Sequence, residues 1–197
     1  MDTPKLIDIE QVSDGWIKKY ILTYRMPDGS THPYEVASRK KIEDYRALLE
    51  ANAAGEAPRG ADAACIVART PNDSLVMIRE FRYPLNSWCI AFPAGLIDPG
   101  EDVLACADRE LREETGYAVV EGSTLRMLPQ AGYSSTGMSD EAVQVIFVEA
   151  EKVAEAHTEP NELIEVFELP IADVRRFLDE NKLPIGTRAQ LLLEALA

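Results

Sequence analysis

Histidine is nearly absent from this 197-residue sequence, which contains only His32 and His157. Two imidazoles cannot build a three-histidine metal centre, and they leave a Ser-His-Asp machine with few candidates. Cysteine is sparse and odd in number, at Cys65, Cys89 and Cys106, with spacings that match no zinc or thiol-redox motif. Each has apolar neighbours, so three buried free thiols are expected. Positive charge is in deficit, with 20 Lys and Arg against 34 Asp and Glu and a formal charge of -14. Nucleic acid and anionic membrane are polyanions that such a field repels, so neither is an expected partner. No apolar run reaches the length that spans a bilayer, and the opening residues Met-Asp-Thr-Pro-Lys carry no basic-then-apolar leader. A cytoplasmic protein is expected.

What the chain has in excess is carboxylate, and residues 95–117 concentrate it. Asp98-Pro99-Gly100 is a turn, with proline presetting its own φ and glycine accepting a positive one. A helix follows, with Glu101 and Asp102 expected in its first turn, where the macrodipole favours negative charge. Gly116 is the expected left-handed cap at its end. Leu104, Ala107 and Leu111 fall on one face at spacings of three and four, which should pack on a core. Glu110 and Glu114 lie one turn apart on the flank of that face, with Glu113 beside them. Like charges at this spacing repel. Arg109 and Arg112 can offset part of the cost, and a divalent cation with hard oxygen ligands would offset more.

Gly95, Glu101 and the run Arg109-Glu110-Leu111-Arg112-Glu113-Glu114-Thr115-Gly116-Tyr117 resemble the signature box of the Nudix hydrolases, Gly-x5-Glu-x7-Arg-Glu-U-x-Glu-Glu-x-Gly-U, where U is aliphatic or aromatic. All seven fixed positions match. At average residue frequencies of roughly 5 to 8%, that agreement arises by chance about once in 10⁸ trials. A solvated acidic helix face explains Glu-rich helices in general, but not the glycines and arginine at these offsets.

The hydrophobic fraction of 46% over this length allows one domain with ample core, alone or with a small appendage. Residues 15–24 and 31–36 read as strands around Met26-Pro27-Asp28-Gly29-Ser30, a turn in which proline, aspartate and glycine each have a place. Residues 38–51 have helical spacing, with Ser38 as candidate N-cap. The small-residue and Pro/Gly stretch at 52–61 reads as a linker. Two domains are therefore expected: residues 1–55, a β unit with a helix, and residues 56–197, the main domain. In the latter, residues 63–69, 74–80, 88–92, 125–128, 142–149 and 163–168 read as strands. Residues 171–181 and 188–196 read as amphipathic helices. Strands before and after a central helix imply helices packed on a mixed sheet. The resemblance makes this an α+β fold, the α/β/α Nudix sandwich, with a small N-terminal β-sheet added.

The likeness continues outside the box and covers most of residues 14–196. Glu80-Phe81-Arg82-Tyr83-Pro84, the run Ile90-Ala91-Phe92-Pro93-Ala94-Gly95-Leu96-Ile97-Asp98, and Asn161-Glu162-Leu163-Ile164-Glu165-Val166 are similar to stretches of the ADP-ribose and ADP-sugar pyrophosphatase branch. Carried over by position, the resemblance implies metal ligation by the carboxylates of Glu110 and Glu114 and the carbonyl of Ala94, with Glu113 assisting. Glu101 is read either as a further aid to that ligation or, as the favoured reading, as the structural partner of Arg109. Glu162 falls where the branch places the glutamate that positions or deprotonates water, with Glu141 and Glu159 as alternatives. Arg39 and Arg82 match arginines used against phosphate or terminal ribose. Trp16 and Tyr34 fall where some members place two tryptophans around adenine, and aromatic faces stack on any base. Thr136 stands where ADP-ribose enzymes often carry proline.

The resemblance thus implies an Mg²⁺-dependent enzyme, with Mn²⁺ as an alternative ion, that hydrolyses the diphosphate of a nucleoside diphosphate-sugar. ADP-ribose would give AMP and ribose 5-phosphate. Other readings are a hydrolase of GDP-sugars or oxidised nucleoside diphosphates and, in a different class, a sensor that binds an ADP-ribose-like ligand without turnover. Intact Glu110, Glu113 and Glu114 weigh against the sensor. The branch also implies a homodimer formed through the N-terminal sheet.

Overall fold

Aromatic and β-branched residues near the N-terminus build a sheet of three strands where the sequence pattern predicts two. In the computed structural model, which describes residues 2–56, 60–123 and 125–197, β1 (Lys5–Gln11), β2 (Lys18–Arg25) and β3 (Thr31–Ser38) pair antiparallel in that order. The pattern misses β1 because its register shifts between Leu6 and Asp8. That shift breaks the strict alternation by which a half-buried strand is recognised. The β2–β3 turn follows its chemistry. Gly29 has a φ of 85° and donates to the Met26 carbonyl at 2.9 Å, and the Asp28 carboxylate accepts from Ser30 N–H at 2.9 Å.

The helix α1 (Ile42–Ala53) places Tyr45 and Leu48 against Ile9, Tyr20 and Leu22 in one apolar cluster. Ser38 does not cap it. It is the buried last residue of β3, paired with Lys18, and its Oγ accepts from Lys40 N–H at 3.1 Å. The helix begins after Lys41, without a side-chain cap.

Cα packing divides the chain into two units. The first takes the described residues up to 62 together with 130–143, and the second takes 63–129 with 144–197. Part of the linker expected at 52–61 lies outside the described residues, at 57–59.

In the second unit the strands β4 (Ala63–Arg69) and β5 (Ser74–Arg82) form a hairpin whose apolar content is buried. They are followed by β6 (Ser87–Ala91) and β7 (Ala94–Leu96), then α2 (Val103–Thr115), β8 (Tyr117–Val119) and β9 (Arg126–Met127). The short β10 (Gly132–Tyr133) belongs to the first unit. It pairs with Ala142 and Val143, which open β11 (Ala142–Lys152). The chain finishes with β12 (Ile164–Pro170), α3 (Val174–Glu180) and α4 (Thr187–Leu196). Within the second unit the sheet runs β11-β4-β5-β12, with β6 on β5, β7 on β4, and β8 and β9 on β11. The sheet is mixed and the fold is α+β, with the N-terminal antiparallel sheet in addition.

Helix α2 lies against β4, β7 and β8, while α4 packs on β6 and α3. Under α2, Ala107 and Leu111 are fully buried with Ile66, Val76, Ile146 and Val148. Leu104, expected on that face, is 42% exposed. The helix also starts later than its charges suggest. Asp102 is its N-cap, its carboxylate accepting from the N–H groups of Leu104 and Ala105 at 2.9 Å, and Glu101 lies outside. A capping aspartate satisfies two otherwise orphaned donors, which outweighs a place inside the first turn. Residues 171–173 are a 3₁₀ turn rather than the first turn of α3. All three cysteines are buried and free. Among the described residues, no helix is long and apolar enough to cross a membrane.

Gly116 closes α2 with a φ of 72°, and a Cβ there would sit 2.2 Å from the Ala154 carbonyl oxygen. Both the left-handed backbone and this backbone neighbour exclude a side chain. Gly116→Ala is therefore expected to cost roughly 2 to 3 kcal/mol and lower the melting temperature by roughly 5 to 10 °C. A thermal melt unchanged within error would contradict this.

Candidate active site

Three consecutive features put α2 carboxylates beside the turn that precedes the helix. Strand β7 pairs antiparallel with the start of β4, Cys65 opposite Ala94 and Ala64 opposite Gly95. The chain then turns at Asp98-Pro99-Gly100, with Gly100 at a φ of 86° and Glu101 N–H donating to the Asp98 carbonyl at 3.0 Å. The capped helix returns along β7, and one of its faces meets residues 94–96.

Glu114 is 6% exposed, and its carboxylate accepts from the N–H of Ala94 at 3.1 Å. Burial pushes its pKa well above the usual carboxylate range, the Ala94 N–H counteracts, and the charges of Glu110, Glu80 and Glu162 raise it further. Glu110 is half-buried and shifted upward for the same first reason, with Arg109 opposing and Glu113 and Glu162 adding to the rise. Its Oε1 accepts from Arg109 Nη1 at 2.7 Å. The close approach of Glu110 to β7 requires glycine at 95, since a Cβ there would stand 1.9 Å from the Glu110 carboxyl carbon. Glu113 is more exposed and 3.3 Å from Arg109 Nη1.

Arg109 is the organiser of this face. Its Nε and Nη2 donate to the two carboxylate oxygens of Glu101 at 2.9 and 2.8 Å, and Nη2 also donates to the Leu96 carbonyl at 3.0 Å. The planar guanidinium suits such a two-point contact. The arginine bonds, with the Asp98 N–H, lower the Glu101 pKa to about 2. The Glu101–Arg109 partnership expected from the sequence is thus present. Arg112 is engaged elsewhere, its Nε donating to Asp108 at 2.7 Å.

A cavity of about 500 Å³ brings Arg109, Glu110, Glu113 and Glu114 together with His157, Thr158, Glu159 and Glu162. The later loop is fastened to the helix by His157 N–H, which donates to the Glu113 carbonyl at 2.8 Å. Glu162 folds back on its own turn, its carboxylate accepting from Glu159 N–H at 3.2 Å. The donors facing this cavity are hard carboxylate oxygens. Buried Glu114, made basic by its burial and by neighbouring charge, is the kind of group that gains when a dication binds. The residues therefore fit a divalent metal by chemistry. Among the described residues, no three carboxylate, imidazole or thiol groups already converge as a finished ligand set.

The other sequence-predicted residues lie elsewhere. Arg82, at the end of β5, is exposed and donates to Glu80, one of the carboxylates whose charge acts on Glu114. Arg39, Trp16 and Tyr34 belong to the first unit. Arg39 Nη1 donates to Glu141 at 2.7 Å, which ties up that alternative to Glu162. Trp16 is 73% exposed, so a core role is excluded for it. Tyr34 donates from its hydroxyl to the Gly137 carbonyl at 2.9 Å and, with Tyr133, Thr136 and Met138, lines a first-unit cavity of about 590 Å³. Sequence reasoning missed the Leu96 carbonyl on Arg109 and the part of His157. A backbone acceptor leaves no residue-type signal, and a lone histidine in an acidic loop has no spacing to mark it.

This cavity gathers carboxylates that one capped helix presents. Residues 58–188 match the family model described as NUDIX domain. The chain belongs to the Nudix family, whose members generally need a divalent metal. It is 32% identical to the ADP-ribose pyrophosphatase of Bacillus subtilis (strain 168), over 90% of this chain and 84% of that protein. It is 30% identical to the ADP-sugar pyrophosphatase of Mus musculus, over 94% of this chain and 80% of that one. A crystal structure titled as an ADP compounds hydrolase superposes with a TM-score of 0.70 at 20% identity, covering 98% of this chain and 92% of the other, which establishes the shared fold.

Proposed function

We propose that this chain is an Mg²⁺-dependent pyrophosphatase of nucleoside diphosphate-sugars, with ADP-ribose as substrate and AMP and ribose 5-phosphate as products. The observation that carries the reading is the meeting of Glu110, Glu113 and Glu114 with Glu162 in one cavity. Relatives named for ADP-ribose and ADP-sugars support the substrate class.

In this reading Glu110, Glu114 and the Ala94 carbonyl would hold the metal, with Glu113 assisting. When bound, such an ion neutralises diphosphate oxygens and lowers the pKa of water. Glu162 accepts the proton of the attacking water, and the P–O bond on the far side of the attacked phosphorus breaks. The negative charge leaves with the second phosphate. Arg109 holds Glu110 and Glu101 in place, so that the helix presents its carboxylates without a rotamer search. Arg82 exchanges its bond to Glu80 for substrate oxygens, and Arg39 does the same from Glu141. Trp16 and Tyr34 stack the base. Exposure of Trp16 supports that role, since a ring spent on the core could not serve it. Residues 1–55 form the dimer-making part of a cytoplasmic homodimer, an assignment supported by the exposed Ile7, Val12 and Ile17 of the N-terminal sheet and its loop.

The test is a panel of diphosphate compounds incubated with Mg²⁺ and resolved by chromatography, with Glu162→Gln alongside the wild type. ADP-ribose should be cleaved to the two monophosphates, and the variant should lose about 10² to 10⁴ in kcat, the usual worth of a general base. Cleavage of GDP-sugars in preference would move the substrate assignment. Binding of ADP-ribose without any product would replace the enzyme by a sensor.

A further inference from the structure

The β5–β12 ladder pairs Glu80 with Ile164 at its end. Beyond that point two more hydrogen bonds continue it. Phe81 N–H donates to the Leu163 carbonyl at 3.0 Å, and the Tyr83 hydroxyl donates to the Asn161 carbonyl at 2.9 Å. These acceptors are the residues on either side of Glu162.

The Tyr83 ring is itself held. It opens a 3₁₀ turn with Pro84 next, and Asn86 closes that turn in the left-handed region at a φ of 47°. The ring stands edge-on to Phe81, centroids 5.6 Å apart, and Phe81 stands edge-on to Trp88 at 6.1 Å. Three rings thus form a row along the β5–β6 hairpin. Such edge contacts orient a ring, and two-torsion aromatics lose little entropy when fixed. Tyr83 is nevertheless 65% exposed, far more than a core tyrosine needs.

We propose that Tyr83 is a positioning residue for Glu162: its hydroxyl pins the Asn161 carbonyl and thereby holds the base-bearing loop over the α2 carboxylates. The proposal rests on the reading of Glu162 as proton acceptor. Without the tether, the loop loses one of the bonds that fasten it on that side, and Glu162 spends less time within reach of its water. Placement errors of this kind lower turnover more than affinity.

Tyr83→Phe removes one oxygen and keeps the ring row. Wild type, Tyr83→Phe, Glu162→Gln and the double variant are compared for ADP-ribose hydrolysis with Mg²⁺, together with amide hydrogen exchange over residues 158–163. Tyr83→Phe should lower kcat about three- to tenfold, the worth of one hydrogen bond, with KM unchanged and faster exchange at 158–163. In the Glu162→Gln background it should cost nothing more, since the group it positions is gone. Unchanged exchange overturns the tether. Faster exchange with unchanged kcat overturns the positioning role. An equal loss in the Glu162→Gln background places the action of Tyr83 elsewhere and also overturns it. Wild-type activity in Glu162→Gln removes the reading of Glu162 and this proposal with it, and the exchange data then show whether the tether exists apart from catalysis.

Discussion

Glu114→Gln is expected to reduce ADP-ribose turnover by at least about a hundredfold, because even a metal ligand's hydrogen-bonding partner is worth about 10- to 100-fold. The substitution keeps shape and keeps an oxygen to accept the Ala94 N–H, so the fold has no reason to fail. Stability should move the other way. Glu114 has a folded pKa raised above its unfolded value, chiefly by burial and then by Glu110, Glu80 and Glu162. A carboxyl of this kind favours the folded state when protonated. Its contribution is intact below the unfolded pKa of about 4.3 and is lost as pH rises through the higher folded value. At neutral pH the metal-free wild type therefore bears the cost of that raised pKa, as a buried charge or as an extra bound proton, which glutamine does not. The variant should melt higher than wild type near pH 7, and the gap should close towards pH 4. Addition of Mg²⁺ should raise the wild-type melting temperature more than that of the variant, since a ligand stabilises the state that binds it. Retained activity, or a variant that is less stable across this pH range, would remove Glu114 from the proposed metal site. A residue that destabilises the empty protein in order to serve the loaded one is a common trade at active sites.

Gly95→Ala should be the second severe loss, and it separates space from chemistry. The added methyl would stand 1.9 Å from the Glu110 carboxyl carbon and 2.0 Å from one of its oxygens. What must yield is the end of a flexible side chain rather than backbone. The melting temperature should therefore fall by less than about 4 °C. The Glu110 carboxylate, however, would be driven from its place, and activity should drop roughly a hundredfold, as for a displaced ligand. The control is Glu110→Ala, which vacates the space. Adding Gly95→Ala to it should cost little more, the mark of two positions that act through one contact. An additive loss would show that Gly95 matters for its own backbone conformation instead.

Much of this site is legible in the sequence because it is local. A turn of Asp-Pro-Gly, a helix with Glu at one-turn spacing and a terminal glycine can be read from residue types at fixed offsets, and Glu101, Arg109, Glu110, Glu113 and Glu114 fall together where those offsets imply. Errors arose where two local preferences compete. Asp102 both belongs near a helix N-terminus and caps one, and the cap excludes Glu101 from the helix. Ser38 has the right side chain for a cap, but its pairing with Lys18 keeps it in a strand. Arg112 has the right charge to relieve the glutamates, yet its direction on the helix gives it to Asp108. The bulge in β1 hid a strand from any test based on alternation.

Other features depend on residues distant in the chain, and no window of sequence contains them. Residues 130–143 join the first unit across some seventy intervening positions, the Asp62 carboxylate accepting from Ala142 N–H at 2.9 Å. Tyr83 reaches Asn161, and His157 reaches Glu113, through backbone carbonyls that every residue type offers equally. By itself the sequence determined the acidic helix, its turn and its terminal glycine cap, because dihedral preference and helical periodicity act within a few residues. Tertiary structure alone decided that Glu114 is buried enough to be made basic, that Glu162 shares its cavity, and that Trp16 stays exposed. Burial, charge coupling and cavity shape are properties of what the folded chain brings side by side, and they have no value until it does.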